Sequence, residues 1–259
     1  MKKLFPFLLR FVIFGVIVGG LIFLLFFNSY LKISHWSILG AEMISDKDVQ
    51  DLLLKETAER WLFFPQDNFL IMLVRSHSLG GMLKQNFKEI RNVSLRPDWR
   101  EDFLNHFLVN IEERKKIGIW CGKESEQDCF FFDETGYLFK SVPESKGPFI
   151  INVKDEVGAE LGLGDKIEDI DLVKSLIVID EKFNELPLLV IETISVINQN
   201  HDFILKTNNG WILYFDPKES VADEFRVFKA LLDKEEIKIT DAIEYIDLRI
   251  KNRAYIKRR

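Results

Sequence analysis

Cysteine and histidine are scarce in this chain, and their scarcity removes most metal and redox chemistry from consideration. Two cysteines and four histidines occur in 259 residues. His35, His77, His106 and His201 are scattered, and none stands in the H-E-x-x-H spacing that sets two imidazoles on one helical face beside a general base. No G-x-S-x-G turn is present to expose a nucleophilic serine. The glycines of "GLGDK", Gly162 to Lys166, follow no apolar strand and lack the spacing of a phosphate loop. Positive charge is not in excess. Lys and Arg number 35 against 41 Asp and Glu, a net charge of -6, and no nucleic-acid partner is expected. Internal repeats, low-complexity tracts and heptad runs are also missing, which excludes solenoids and coiled coils. Carboxylates are abundant, but spacing alone does not bring two of them together in a cleft, so no acid–base pair is assigned. The expectation is a protein that is not an enzyme, with no catalytic residue, cofactor or metal site.

What is present is a long apolar start and a large aromatic stock. The 23 phenylalanines can fill a substantial core, and the length allows two modest domains or one large one. "FVIFGVIVGGLIFLLFF", Phe11 to Phe27, carries no charge and is close to the shortest stretch that spans a bilayer as a helix. Lys2, Lys3 and Arg10 precede it, a bias that keeps the N-terminus in the cytoplasm. Two rival readings are a cleaved signal peptide and a buried core helix. Small residues of the A-x-A kind, which a cleavage site would want, do not follow; "NSYLKIS" does. The expected topology is a single-pass membrane protein, with nearly everything from Tyr30 onward outside the cytoplasm.

Periodicity predicts an α+β chain beyond the span. Ile33 to Ile38 reads as a short strand and Gly40 as a turn, and Ser45 with Asp48 forms a capping-box pattern. Val49, Leu52, Leu53 and Trp61 then recur at helical spacing. Phe69 to Val74 is too short an apolar run to assign. Ser78 is read as the cap of a second helix carrying Leu79, Met82, Leu83, Phe87 and Ile90. Two alternating runs follow, Val93, Leu95 and Trp99, then Phe107, Val109 and Ile111, so the first region reads strand, helix, helix, strand, strand. The remainder is strand-rich. Strands are expected at Ile117 to Cys121, Cys129 to Phe132, Tyr137 to Phe139, Phe149 to Val153, Val190 to Ile197, Phe203 to Thr207 and Trp211 to Phe215. Helices are expected near Ile167 to Phe183 and around Phe225 to Leu232.

Cys121 and Cys129 fall on the inner ends of two strands that flank "GKESEQD". In an oxidising compartment such a hairpin can close a disulfide; buried free thiols, or a metal or redox role, are the other readings. The chain finishes on "IEYIDLRIKNRAYIKRR", in which Tyr245, Asp247, Arg249, Lys251, Arg253, Tyr255 and Lys257 share one parity. Ile246, Leu248, Ile250, Ala254 and Ile256 share the other, which gives Ile250 a buried parity. Taken as one strand the segment is longer than usual, so a turn or bulge near Lys251-Asn252 is expected. Basic residues on an edge strand also guard against aggregation, and the residues by themselves are consistent with no more than that.

The order of these pieces resembles the bacterial cell division family FtsQ/DivIB over nearly the whole chain. "ISHWSILGAEMIS" is similar to the family's opening strand-Gly-helix segment, with Gly40 and Ser45 in place. "VNIEERKKIGIW" resembles its domain junction at Glu113-Arg114, and "FFFDETGYLF" its D-x-x-G-x-x-F turn. "YIDLRIKNRAYIK" resembles its terminal D-L-R strand pair. Two features depart from the pattern: the loop between Cys121 and Cys129 is long, and "RSHSLGGML" fits the second helix loosely. The resemblance implies a cytoplasmic tail over 1–10, a transmembrane helix over 11–29, a POTRA-like domain over 30–114 and a β domain over 115–259. It implies a non-enzymatic scaffold at the division septum, which recruits FtsB/DivIC-like and FtsL-like membrane proteins. Through them it would act on an FtsW/FtsI-type peptidoglycan synthase. It also assigns the partner contact to the last strand, with Tyr245, Asp247, Arg249, Lys251, Arg253, Tyr255 and Lys257 as its exposed residues. The alternative is a POTRA-bearing membrane protein that chaperones or docks envelope polypeptides, although tandem repeats and a barrel are not seen in the sequence.

Overall fold

A computed structural model describes residues 4–58, 60–61, 64–100, 104–123, 129–143, 150–158, 160–186 and 188–259. The chain divides into two compact units, Met1–Glu113 and Arg114–Arg259.

In the first unit, a sequence apolar except for Arg10, with no proline after Pro6, forms α1 (Leu4–Phe27). Its apolar side chains from Val12 to Phe27 are largely exposed. Among the described residues no helix is long and apolar enough to cross a membrane. A 3-10 turn, Ser29–Leu31, leads to β1 (His35–Leu39), α2 (Asp46–Ala58), the two-residue strands β2 (Arg60–Trp61) and β3 (Phe64–Pro65), α3 (Phe69–Asn86), β4 (Ile90–Pro97) and β5 (His106–Glu113). The sheet order is β1-β5-β4, parallel on one side of β5 and antiparallel on the other. Val49 and Leu53 of α2, Leu79 and Leu83 of α3, and Phe107, Val109 and Ile111 of β5 are buried, so both helices contribute to the apolar core with the sheet. Gly40 is obligatory: its φ is +84°, and a Cβ there would lie 2.1 Å from the Ile111 carbonyl oxygen. The Glu113 carboxylate accepts the backbone N–H groups of Glu42, Met43 and Ile44 at 2.9–3.0 Å and so secures the segment that leads into α2.

Four sequence readings of this unit change. The second helix starts ten residues earlier than a cap at Ser78 implies: Asn68 is its cap, accepting Leu70 N–H at 2.9 Å, and Ser78 is interior. The cap signal lay in "QDN", and the unassigned run Phe69 to Val74 is the first part of this helix. Trp61 is not in α2, which stops at Ala58, and Ile90 begins β4 rather than extending α3. Trp99 lies beyond β4, which ends at Pro97, where the missing N–H cannot continue a ladder.

The second unit is built on one nine-stranded mixed sheet. Its strands are β6 (Gly118–Cys121), β7 (Cys129–Phe132), β8 (Leu138–Val142), β9 (Ile151–Asp155), β10 (Ile191–Val196), β11 (Phe203–Thr207), β12 (Ile212–Phe215), β13 (Ile243–Asp247) and β14 (Tyr255–Arg258). The order is β14-β13-β12-β11-β10-β9-β6-β7-β8. Helices α4 (Ile170–Phe183) and α5 (Val221–Asp233) are the crossovers of two parallel pairs, β9 with β10 and β12 with β13. Asp169 caps α4 through the N–H groups of Asp171 and Leu172, and Ser220 caps α5 through Asp223. Phe183, Phe225 and Phe228 pack ring against ring between the helices, and Phe203 stacks on Phe215 at 5.4 Å in the sheet. With Leu176, Ile194, Leu213 and Ile246 they form one continuous core. Alternation alone predicts strands here but not their parallel pairing. Phe149 of the expected fourth strand lies outside the described residues.

Candidate functional site: the last strand of the large sheet

The terminal segment folds as a hairpin. Its single polar interruption, Asn252, has φ of +59°, a left-handed conformation that asparagine tolerates better than most residues. The Arg253 N–H donates to the Ile250 carbonyl at 2.9 Å and closes the turn. β13 and β14 then pair antiparallel, Tyr245 opposite Lys257, Ile246 opposite Ile256 and Asp247 opposite Tyr255. Parity therefore survives the turn: Tyr245, Asp247, Tyr255 and Lys257 lie on one face, and Ile246 and Ile256 on the other. Ile250 departs from the reading. It is 46% exposed at the start of the turn, because a turn residue no longer follows the strand alternation.

The seven residues expected to form the contact are not equivalent. Arg249 is consumed within the chain. Its guanidinium donates to Asp247 at 2.6 and 2.9 Å and to Asp202 at 2.9 Å, and it lies 5.1 Å over the Tyr214 ring. The hydrogen bonds with Asp247 raise the Arg249 pKa further above its ordinary range and lower that of Asp247. The D-x-R pair is thus a clamp that holds the end of β13. Lys257 bonds Glu244 at 3.0 Å, which raises its pKa, and sits 5.8 Å over Tyr245, itself edge-on to Tyr214. Lys251 and Arg253 are exposed in the turn, and Tyr255 is exposed on β14. Only part of the set remains for a partner: Lys251, Arg253 and Tyr255, with Lys257 at the rim.

Beside them is a groove that periodicity did not reveal, of about 530 Å³, between Val227, Ala230 and Leu231 of α5 and Arg253, Ala254 and Tyr255 of the hairpin. The apolar spacing of α5 marks its core face; the neighbouring stripe at 227, 230 and 231 needs the hairpin to become a wall. Deeper on the same helix, Glu224 is 6% exposed and one carboxylate oxygen has no hydrogen-bond partner. Burial pushes its pKa up to about 8; the Asp216 N–H opposes this at 3.4 Å, while the charges of Asp216, Glu219 and Asp247 add to it.

Cys121 and Cys129 lie directly opposite each other on β6 and β7 and are joined by a disulfide, with their Cα atoms 4.1 Å apart. Among the described residues no group of three His, Cys, Asp or Glu side chains is placed to hold a metal ion.

A mixed sheet with helical crossovers, whose terminal strand has no strand among the described residues on its outer side, has the edge that strand addition from another chain uses. Residues 119–249, just over half of the chain, match the family model for the C-terminal domain of the cell division protein FtsQ/DivIB, and the chain belongs to that family. The match runs from Ile119 in β6 to Arg249 and stops before Lys251. No curated protein matches the chain.

Proposed function

We propose that this protein is a non-enzymatic scaffold of the division machinery, anchored by α1, whose β14 edge receives an extended segment of an FtsB/DivIC-like partner. The supporting observation is that β14 is the last strand of the nine-stranded sheet and carries an open groove beside its turn. An added strand would take its main-chain hydrogen bonds from the edge and its selection from alternate side chains, one set over Tyr255 and one toward the groove. Arg253 and Lys251 favour acidic residues in that segment. FtsL-like proteins, and through them an FtsW/FtsI-type synthase, complete the assembly at the septum. The charge-free part of α1, Phe11 to Phe27, is about 26 Å long at 1.5 Å per residue, short of a full bilayer core, so on this reading a single pass calls for local thinning of the bilayer and snorkelling of Arg10, with Lys2, Lys3 and Arg10 on the cytoplasmic side. The first unit then takes the place of the family's POTRA domain outside the cytoplasm.

The direction of the edge donors defines the test. Arg259 N–H donates inward to the Ala242 carbonyl at 2.8 Å, so by strand alternation the N–H of Arg258 points outward. Arg258→Pro removes that outward donor and leaves the β13 ladder intact, and edge strands accept proline. In a binding titration against the extracytoplasmic part of the partner, Arg258→Pro is expected to weaken binding by up to about tenfold, the upper end of what one lost hydrogen bond contributes. Arg253→Glu is expected to weaken it less and to leave the melting temperature unchanged. Wild-type affinity in both folded variants would place the contact elsewhere.

A further inference from the structure

The end of the first unit from which α1 emerges is built differently from its opposite end. Asn68 is almost fully buried there and joins two helices through one side chain. Its Oδ1 caps α3 at Leu70, while its Nδ2 donates to the carbonyls of Leu25 (3.0 Å) and Phe26 (3.2 Å), groups that the end of α1 leaves without helical partners. The Ile33 N–H donates to Asp67 O at 2.8 Å, and Lys32 pairs with the Asp67 carboxylate at 2.9 Å. On the other side, the Asn105 amide satisfies its surroundings when its nitrogen is assigned to the position facing the carbonyls of Tyr30 (2.8 Å) and Lys32 (3.1 Å). The Asn105 carbonyl accepts from Ser34 and His35. The start of α3 and the β4–β5 connection are thereby tied to the exit of α1 within one unit.

These tied segments expose large apolar and aromatic side chains. Tyr30 is 77% exposed, Val74 83% and Trp99 73%; Leu73 is also exposed, and Arg100 stands next to Trp99. Val74 is six residues beyond Asn68, about 9 Å along α3. Tryptophan and tyrosine beside basic residues are the composition of a membrane–water boundary, and the headgroup layer is comparably deep. We propose that this end is an interfacial collar: Tyr30, Leu73, Val74 and Trp99 lie in the headgroup layer of the membrane that α1 enters, with Arg100 toward lipid phosphates. The collar rests on the reading of α1 as a membrane anchor. It holds the first unit against the bilayer instead of leaving it on a free tether.

The test uses the full chain in nanodiscs of phosphatidylethanolamine and phosphatidylglycerol, with an environment-sensitive fluorophore on single introduced cysteines, the native pair remaining oxidised. Val74→Cys and Trp99→Cys report the collar and Val18→Cys reports insertion of α1. Glu42→Cys reports the opposite end, which lies the length of β5 away, since Glu42 N–H bonds Glu113 while His106 begins that strand near Asn105. Labels at 74 and 99 are expected to shift to the blue and to lose fluorescence to headgroup-proximal spin-labelled lipid, and the label at 42 to do neither. Quenching at 18 with water-like emission at 74 and 99 would overturn the collar and leave the anchor standing. No quenching at 18 would overturn both.

Discussion

The two ends of the nine-stranded sheet meet the same physical problem and solve it differently. At the β8 end, the strand's outer side is taken up as it begins. Leu138 N–H donates to Asp165 O at 2.9 Å, Gly164 N–H donates to Leu138 O at 2.8 Å, and Tyr137 bridges Lys166. The glycine-rich segment that resembles a phosphate loop only in composition is a cover for a sheet edge. At the β14 end, no strand among the described residues pairs with the outer side. Covering an edge removes a surface for association, and leaving it open retains one. Buried carboxylates follow the same division. Asp133, in the turn before β8, has every advantage: Arg114, the Thr135 hydroxyl and the N–H groups of Thr135 and Tyr137 all donate to it. Glu224, behind the open end, has one weak N–H and an orphan oxygen. The buried carboxylate at the closed end is fully partnered, while the one behind the open end keeps an unsatisfied oxygen.

That contrast can be broken from the closed side first. Burial alone would raise the Asp133 pKa, but the Thr135, Arg114 and Tyr137 hydrogen bonds outweigh it and the pKa is lowered. Asp133→Ala takes the shared acceptor from Arg114, the Thr135 hydroxyl and two backbone N–H groups, so urea denaturation at pH 7 should show a loss of about 3–5 kcal/mol. A carboxylate with a depressed pKa stabilises above its unfolded pKa and loses that contribution as pH falls through the folded value. The difference between wild type and Asp133→Ala should therefore shrink in acid below the usual aspartate pKa. Persistence of the full difference there would show the loss to be one of packing.

Next in size is the disulfide that closes β6 on β7. Replacing Cys121 and Cys129 together by alanine should cost about 2–3 kcal/mol, from the chain entropy of a short loop. It should not alter partner binding at the other end of the sheet. A change in affinity without a change in urea midpoint would be evidence against separable ends.

Glu224 supplies a smaller effect of opposite sign. An acid whose folded pKa is raised, here from 4.5 to about 8, costs stability progressively as pH rises through that window. Glu224→Gln should raise stability above pH 8 by about 1–3 kcal/mol, the cost of a buried charged group short of partners, and change little near pH 4. A variant equally stabilised at both pH values would show that its charge is not the cause.

Much of this molecule was legible in local pattern. The charge-free stretch before Asn28, the alternation in β5, β11 and β12 and the apolar spacing of α4 and α5 all follow from side-chain chemistry acting over a few residues. Motif resemblance went further, since Glu113-Arg114 divides its work between the two units, Glu113 on the α2 approach and Arg114 on Asp133. Candidate site residues were legible as a parity set, but parity says only which face a side chain takes. It could not say that Arg249 is bound to Asp202, 47 positions earlier in the chain, or that Ile250 leaves its strand at a turn. Nor could it reveal the groove, whose walls come from α5 and the hairpin, or that Asn68 and Asn105 bracket the exit of α1. The sequence by itself determined which segments are helix or strand and which faces are apolar, because those preferences are local. Tertiary structure alone decided the parallel crossovers, the covered and uncovered sheet edges and the partners of each charge, because those depend on residues far apart in the chain meeting in space.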